Sequence, residues 1–254
     1  MTDPQTDPHP AAADPASEAN PPKDALREAS TILLIRRDLP EAPEGAVLMG
    51  MRGARAAFMP SKYVFPGGAV DADDANVPLA ALPGAGCVAR LRQSPRDGVA
   101  ADPHALAAAA LRELAEETGL LLGEPDPQAS QLPPDWAAFA QAGLRPSAAH
   151  LFFVFRAITP PGRPRRFDAR FFLADAAHIH GDPDDFSRAC DELSHLHWVP
   201  LSQARALNLP FITEVVLAEV AALIRAAEGA GLRAPDTVPF FDNRGHQPRF
   251  EQLA

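Results

Sequence analysis

Long apolar runs are missing from this 254-residue chain. Nothing in it approaches the roughly 18 consecutive apolar residues that a bilayer-spanning helix needs, so no membrane-embedded part is expected. Cysteine is scarce too. The two present, Cys87 and Cys190, do not suggest a disulfide scaffold or a thiolate metal site, and are read as reduced thiols. Also missing is any excess of positive charge: 33 acidic residues face 23 basic ones, for a net charge of −10. That balance excludes a general nucleic-acid or anionic-membrane binder, which must neutralise phosphates with a basic face. It leaves room for an anionic small molecule, which needs only a local basic pocket and a bound cation. The first 24 residues carry no apolar stretch of the signal-peptide kind. The final Glu-Gln-Leu-Ala is not a peroxisomal Ser-Lys-Leu type signal, and a cytoplasmic protein is expected. No internal repeat is present.

What is there is 46% apolar content, enough for one domain with extensions or at most two small ones. Residues 1–27 are dominated by Pro, Ala, Asp and Ser and read as a disordered tail, because they bury too little apolar surface to offset their ordering entropy. The domain is expected over 28–232 and a C-terminal extension over 233–254. Within the domain, Thr31–Arg36, Ala46–Arg52 and the short Tyr63–Phe65 read as strands, the last broken by Pro66-Gly67-Gly68. A stretch of roughly 75–101, mixing Pro, Gly and Arg, looks like an inserted loop. Asp102-Pro103 then offers an N-cap and a first-turn proline for an Ala/Leu-rich helix that runs to Thr118, with Gly119 as its left-handed cap. Trp136–Ala142 reads as a short helix and Phe211–Glu228 as an amphipathic one. His150–Ile158 and Arg166–Leu173 read as strands around Pro160-Pro161-Gly162, and Glu192–Pro200 as another. Strands and helices intermingle without strict alternation, which points to an α/β fold with a mixed sheet between helices.

The chemistry sits on the long helix. In Arg112-Glu-Leu-Ala-Glu-Glu-Thr-Gly-Leu120, positions three and four apart share a face, so Glu113, Glu116 and Glu117 project together. Ala107, Leu111, Leu114 and Thr118 form the stripe expected to face the core. Three carboxylates on one face repel one another unless a cation sits among them. Arg112 offsets part of that repulsion and a divalent cation would offset more. Carboxylate oxygens suit Mg²⁺ or Mn²⁺, which polarise phosphoryl oxygens and activate bound water. A solvated acidic helix face would explain a lone Glu-Glu pair as well. The Phe65-Pro-Gly-Gly68 turn upstream, where backbone can approach a ligand closely, favours the site.

These residues resemble the box of the Nudix hydrolases: Gly, five residues, Glu, seven residues, then Arg-Glu-apolar-x-Glu-Glu-x-Gly-apolar. The helical half matches at every fixed position from Arg112 to Leu120. The turn half starts at Gly68, with Asp74 in the place of the first Glu. Residues 75–111, 37 in all, stand where the pattern has seven, an insertion of 30. The run from Arg52 to Gly68, the split box and Arg166–Phe172 are together similar to the branch containing the peroxisomal acyl-coenzyme A diphosphatases and many bacterial relatives. The resemblance covers roughly 29–228. It implies the family's α/β/α sandwich, metal ligation by Glu113, Glu116 and Glu117 with the Gly67 carbonyl, and orientation of the glutamates by Arg112. It also implies cleavage of a diphosphate bond, with coenzyme A or its thioesters giving 3′,5′-ADP and a phosphopantetheine product. The alternatives are ADP-ribose or a nucleotide sugar as substrate, or a non-catalytic ligand-sensing domain.

Other residues carry weaker expectations. Arg166 and Arg170, on a hairpin shared with Arg163 and Arg165, are candidates to grip substrate phosphates, as are Arg52 and Arg55, because arginine presents a planar fork of donors. Each has an ordinary alternative as a solvated surface cation. Glu192 is a candidate general base or else a strand-end surface residue. His178-x-His180 and His195-x-His197 have strand spacing for a shared zinc but no evident third ligand. Phe152, Phe153, Phe155, Phe167, Phe171 and Phe172 read as packing. The expected partner is an anionic small molecule, with self-association into a homodimer left open.

Overall fold

The computed structural model describes residues 25–54, 56, 59–96, 98–227, 230–245 and 247–254. Most of the expected tail, up to position 24, lies outside the described residues, and so does Arg55.

The chain opens with β1 (Leu26–Arg36), β2 (Ala46–Arg52), β3 (Tyr63–Val64) and β4 (Gly67–Ala69), then the helices α1 (Ala85–Leu91) and α2 (Pro103–Thr118). There follow β5 (Gly123–Pro125), α3 (Ala137–Ala142), β6 (Leu144–Pro146), β7 (Phe152–Ile158), β8 (Arg166–Asp175) and β9 (Leu193–Pro200). The last elements are α4 (Leu201–Ala204), α5 (Phe211–Ala226), β10 (Val238–Asp242) and β11 (Arg249–Leu253). Nine strands among the described residues make one mixed sheet with the backbone order β11-β10-β7-β8-β1-β2-β3; β4 attaches to β1 and β9 to β2. Strands β5 and β6 form a separate pair.

β1 organises the sheet. It runs parallel to β8 from Leu26↔Arg166 to Ile35↔Asp175, which is why it begins before the apolar Thr31–Arg36 core that sequence alone picks out. On its other side it pairs antiparallel with β4 at Ala29–Thr31 and with β2 at Ile35–Arg36. Successive side chains leave a strand on opposite faces. Ile32 and Leu34 therefore pack against Leu106, Leu111 and Leu114 of α2, with Phe153, Phe172 and Phe240. Leu33 and Ile35 pack on the other face with Val216, Leu217 and Val220 of α5. A mixed sheet covered by helices on both faces is the α/β/α sandwich expected.

α2 is well specified locally. Asp102 caps it by accepting from the His104 backbone N–H at 2.9 Å, Pro103 fills the first turn, and Gly119 ends it at φ 78°. Its stripe Ala107, Leu111, Leu114 and Thr118 is fully buried. The Ser30 hydroxyl donates to the Leu106 carbonyl at 2.6 Å and ties the helix to β1.

Two stretches depart from the expectation. Part of 75–101, read as a loop, folds into α1 and packs on the sheet: Arg156 donates to the carbonyls of Gln93 and Ser94. Residues 233–254, read as an extension, supply β10 and β11. Phe240 and Phe241 lie opposite Arg156 and Ala157 of β7, so this end of the chain completes the sheet. Proline and charge within Val238–Asp242 mask the alternation there.

Candidate active site

The Gly-Gly turn and α2 meet because β4 lies against β1 just where α2 crosses it. Thr31 pairs with Gly67 and Ser30 with Gly68. Both glycines are required by close approach. A Cβ on Gly67 would sit 2.5 Å from the Ser30 carbonyl oxygen, and one on Gly68 would sit 2.3 Å from a Glu113 carboxylate oxygen. The Gly67 N–H donates to Glu117 Oε2 at 2.7 Å. The turn thus holds the carboxylates through backbone and bare space.

Arg112 is the hub. It is 6% exposed, and its Nε and Nη2 donate to the two oxygens of Asp74 at 2.9 and 3.0 Å. Its Nη1 reaches Glu113 at 2.9 Å and Glu116 at 3.2 Å, and Nη2 also reaches the Ala69 carbonyl. Asp74 is itself buried, and its side chain closes a short helical turn by accepting from the Asp71 N–H at 2.8 Å. Asp74 stays against the box arginine although 37 residues separate it from Arg112. Burial alone would weaken Arg112 as a base, but the carboxylates of Asp74, Glu113 and Glu116 hold it firmly protonated.

The carboxylates are under-neutralised. Burial pushes Glu113 up to about 7, against the pull of Arg112 and with added repulsion from Glu116 and Glu192. Burial also raises Glu117 well above the usual carboxylate range, opposed by the Gly67 N–H and reinforced by Glu113 and Glu192. Glu116 is raised more mildly by the same burial. Glu117 is 2% exposed and its Oε1 has no hydrogen-bond partner among the described residues. A buried carboxylate oxygen without a donor is costly unless a cation or a proton answers it. Hard oxygen donors and the orphaned Glu117 oxygen, to which no arginine among the described residues is bonded, fit a Mg²⁺-type cation. As the side chains stand, Glu113 and Glu116 turn to Arg112. No group of three or more His, Cys, Asp or Glu among the described residues is gathered tightly enough to hold a metal.

Glu192 and Arg52 enter from the facing strands. The antiparallel pairing of β2 with β9 sets Arg52 opposite Leu193, and Arg52 Nη2 donates to Glu192 Oε1 at 2.7 Å. Glu192 is half exposed, and its charge adds to the upward shift of both Glu113 and Glu117. Sequence spacing gave no sign of this pair, since 140 residues separate its members.

The hairpin arginines go elsewhere. Arg170 is 2% exposed and bonded to Glu28 and Asp168, so its guanidinium is a buried structural cation rather than a free phosphate grip. Arg166 faces Leu26, five residues down β1 from the Thr31–Gly67 pair, about 16 Å along the strand. Arg163 and Arg165 are exposed. Among the histidines, His178 stacks flat on His150 at 3.6 Å between ring centres, and His197 leans on Tyr63 and on the His195 carbonyl. A cavity of about 800 Å³ is lined by Arg36, Asp38, Asp175 and Arg225 and by none of the box carboxylates.

No family model matches the chain. A Caenorhabditis elegans protein provisionally named nudix hydrolase 7 is 30% identical over 164 residues, which cover 60% of this chain and 46% of that one. The chain thus spans about half the length of that relative. The crystal structure of a Nudix hydrolase from Alicyclobacillus acidocaldarius superposes with a TM-score of 0.58 at 29% identity, covering 83% of this chain and 99% of that one. The fold is therefore that of the Nudix hydrolases. No helix among the described residues is long and apolar enough to cross a membrane.

Proposed function

We propose that this protein is a divalent-metal-dependent Nudix diphosphatase acting on a nucleoside diphosphate linked to another moiety. Coenzyme A or an acyl-coenzyme A is the favoured substrate. The observation that carries the reaction class is Glu113 against Gly68 and Glu117 against Gly67, with Glu116 on the same helix face bonded to Arg112 and Glu117 Oε1 without a hydrogen-bond partner among the described residues. The three glutamates, helped by the Gly67 carbonyl, would hold Mg²⁺ or Mn²⁺. When bound, such a cation supplies charge neutralisation at the phosphoryl oxygens and lowers the pKa of water.

The chain's own residues do the rest. Arg112, locked by Asp74, fixes the directions of Glu113 and Glu116, and the Gly67 N–H fixes Glu117. Glu192 is exposed, its Oε1 held by Arg52. In the proposed reaction it takes a proton from the attacking water as the water oxygen bonds to one phosphorus. The bridging P–O bond breaks, and the departing phosphate leaves as the anion. Arg52 balances negative charge of the substrate. The coenzyme A assignment rests on the branch resemblance of the Arg52–Gly68 run and Arg166–Phe172. A non-catalytic sensor is disfavoured because the box carboxylates are all retained.

The test is chromatography of products after incubating the pure protein with coenzyme A, with and without Mg²⁺. Metal-dependent 3′,5′-ADP is expected. Intact coenzyme A alongside cleaved ADP-ribose would remove the substrate assignment and keep the reaction class. No cleavage of either, with the protein folded, would favour the sensor.

A further inference from the structure

The segment between β4 and α2, the β7–β8 hairpin and the turn after β10 each bring one arginine to a single cavity of about 380 Å³. Its walls are Leu26, Arg96, Arg166 and Arg244. The three guanidiniums are not equivalent. Arg244 is fixed by Asp242, to which its Nε and Nη2 donate at 3.0 and 2.9 Å, and by the Pro95 carbonyl. Arg96 is fixed by the Leu26 carbonyl and by Glu28, 3.3 Å from its Nη2. Arg166 is anchored only through Nε, which donates to the Thr159 carbonyl at 3.1 Å. Neither of its terminal nitrogens has a partner among the described residues.

Beneath the cavity the charges do not cancel. Arg156 and Arg170 are buried under it, and Arg249 lies at its side on Asp242. Together with the three lining arginines they face four carboxylates among the described residues: Glu28, Asp168, Asp242 and Glu251. A positive excess around a concave site attracts a compact anion, and a free guanidinium fork fits two oxygens of a tetrahedral one.

We propose that the cavity between Arg96, Arg166 and Arg244 binds a phosphate-type oxyanion. Arg166 presents its open fork to the anion, and Arg96 and Arg244 stand as fixed positive charge. This site is separate from the glutamate cluster, and it stands whether or not the chain is a hydrolase.

Calorimetric titration of the full chain with inorganic phosphate, in EDTA at neutral pH, tests it. Saturable binding is expected, weakened about tenfold or more by Arg166→Gln, as the loss of charge-assisted hydrogen bonds predicts. Glu116→Gln should leave the affinity unchanged, because the glutamate cluster takes no part. Absence of saturable binding in the parent protein, or equal affinity in Arg166→Gln, overturns the proposal. Should Arg166→Gln lose its cooperative thermal transition, Arg166→Lys carries the test, since it keeps the charge and loses the planar fork. Weakened phosphate binding in that variant upholds the site and unchanged binding overturns it.

Discussion

Two stretches of β1 gather charge of opposite sign. Beside Thr31, Glu113 and Glu116 of α2 share the buried Arg112 while Glu117 is met by the Gly67 N–H; around Leu26 and Glu28, six arginines share four carboxylates among the described residues. Neither stretch is neutral, yet each contains a balanced pair: Arg112 with Asp74, and Arg156 with Asp168. Arg156 and Asp168 are the most buried members of their stretch, whereas in the other the surplus Glu117, at 2% exposed, is buried more deeply than Arg112 at 6%. Buried ions survive folding only when paired, so the pairs report on architecture. A surplus that no protein group answers is where a ligand's charge is needed. The first stretch asks for a cation and the second for an anion.

Four measurements test this contrast. The largest effect is expected from Glu117→Gln or Glu116→Gln, which should lower metal-dependent diphosphate cleavage by about a hundredfold or more while the far-ultraviolet spectrum is unchanged. Activity near that of the parent in either variant would sink the cation side. Next is Arg156→Leu, which strands Asp168, fully buried, without its main partner. Denaturant unfolding should show a loss of about 3–5 kcal/mol. A neutral result would mean that this pair is not what holds the arginine-rich end together.

A third measurement follows the pH dependence of stability. Glu113 is pushed up to about 7 by burial, above its unfolded value of 4.5. A raised folded value gives stability that is complete below the unfolded value and is lost as pH rises through the folded one. Metal-free protein should therefore melt at progressively lower temperature between about pH 4.5 and 7. Added Mg²⁺ should restore more at the upper end of that window than at the lower. A melting temperature that stays flat across it would refute the account of the carboxylate cluster. The smallest effect belongs to Arg249→Ala. Arg249's side chain is 65% exposed, so its bridge to Asp242 should contribute about 0–1 kcal/mol by the same unfolding assay.

Much of the fold was legible because its signals are local. Asp102-Pro103 and Gly119 delimit α2, and the i, i+3, i+4 spacing of Glu113, Glu116 and Glu117 gathers the carboxylates without any knowledge of the sheet. What remained hidden depends on strands paired at long range. Arg170 reads as an exposed hairpin cation until the parallel register with β1 sets it opposite Ser30, under the segment that covers that face. Arg52 and Glu192 become neighbours only through the β2–β9 ladder. The terminal strands escaped because β10 is short, contains Pro239 and ends in a charge needed for pairing with arginines.

The ten-residue parallel ladder between β1 and β8 joins parts of the chain 140 positions apart. Such a pairing cannot form until a long loop has closed, and loop closure of this kind slows folding. Both charged stretches hang on β1, so neither exists in a chain that has not yet closed it. Refolding followed by metal affinity and by phosphate affinity should therefore show the two capacities arriving together, late, in one kinetic phase.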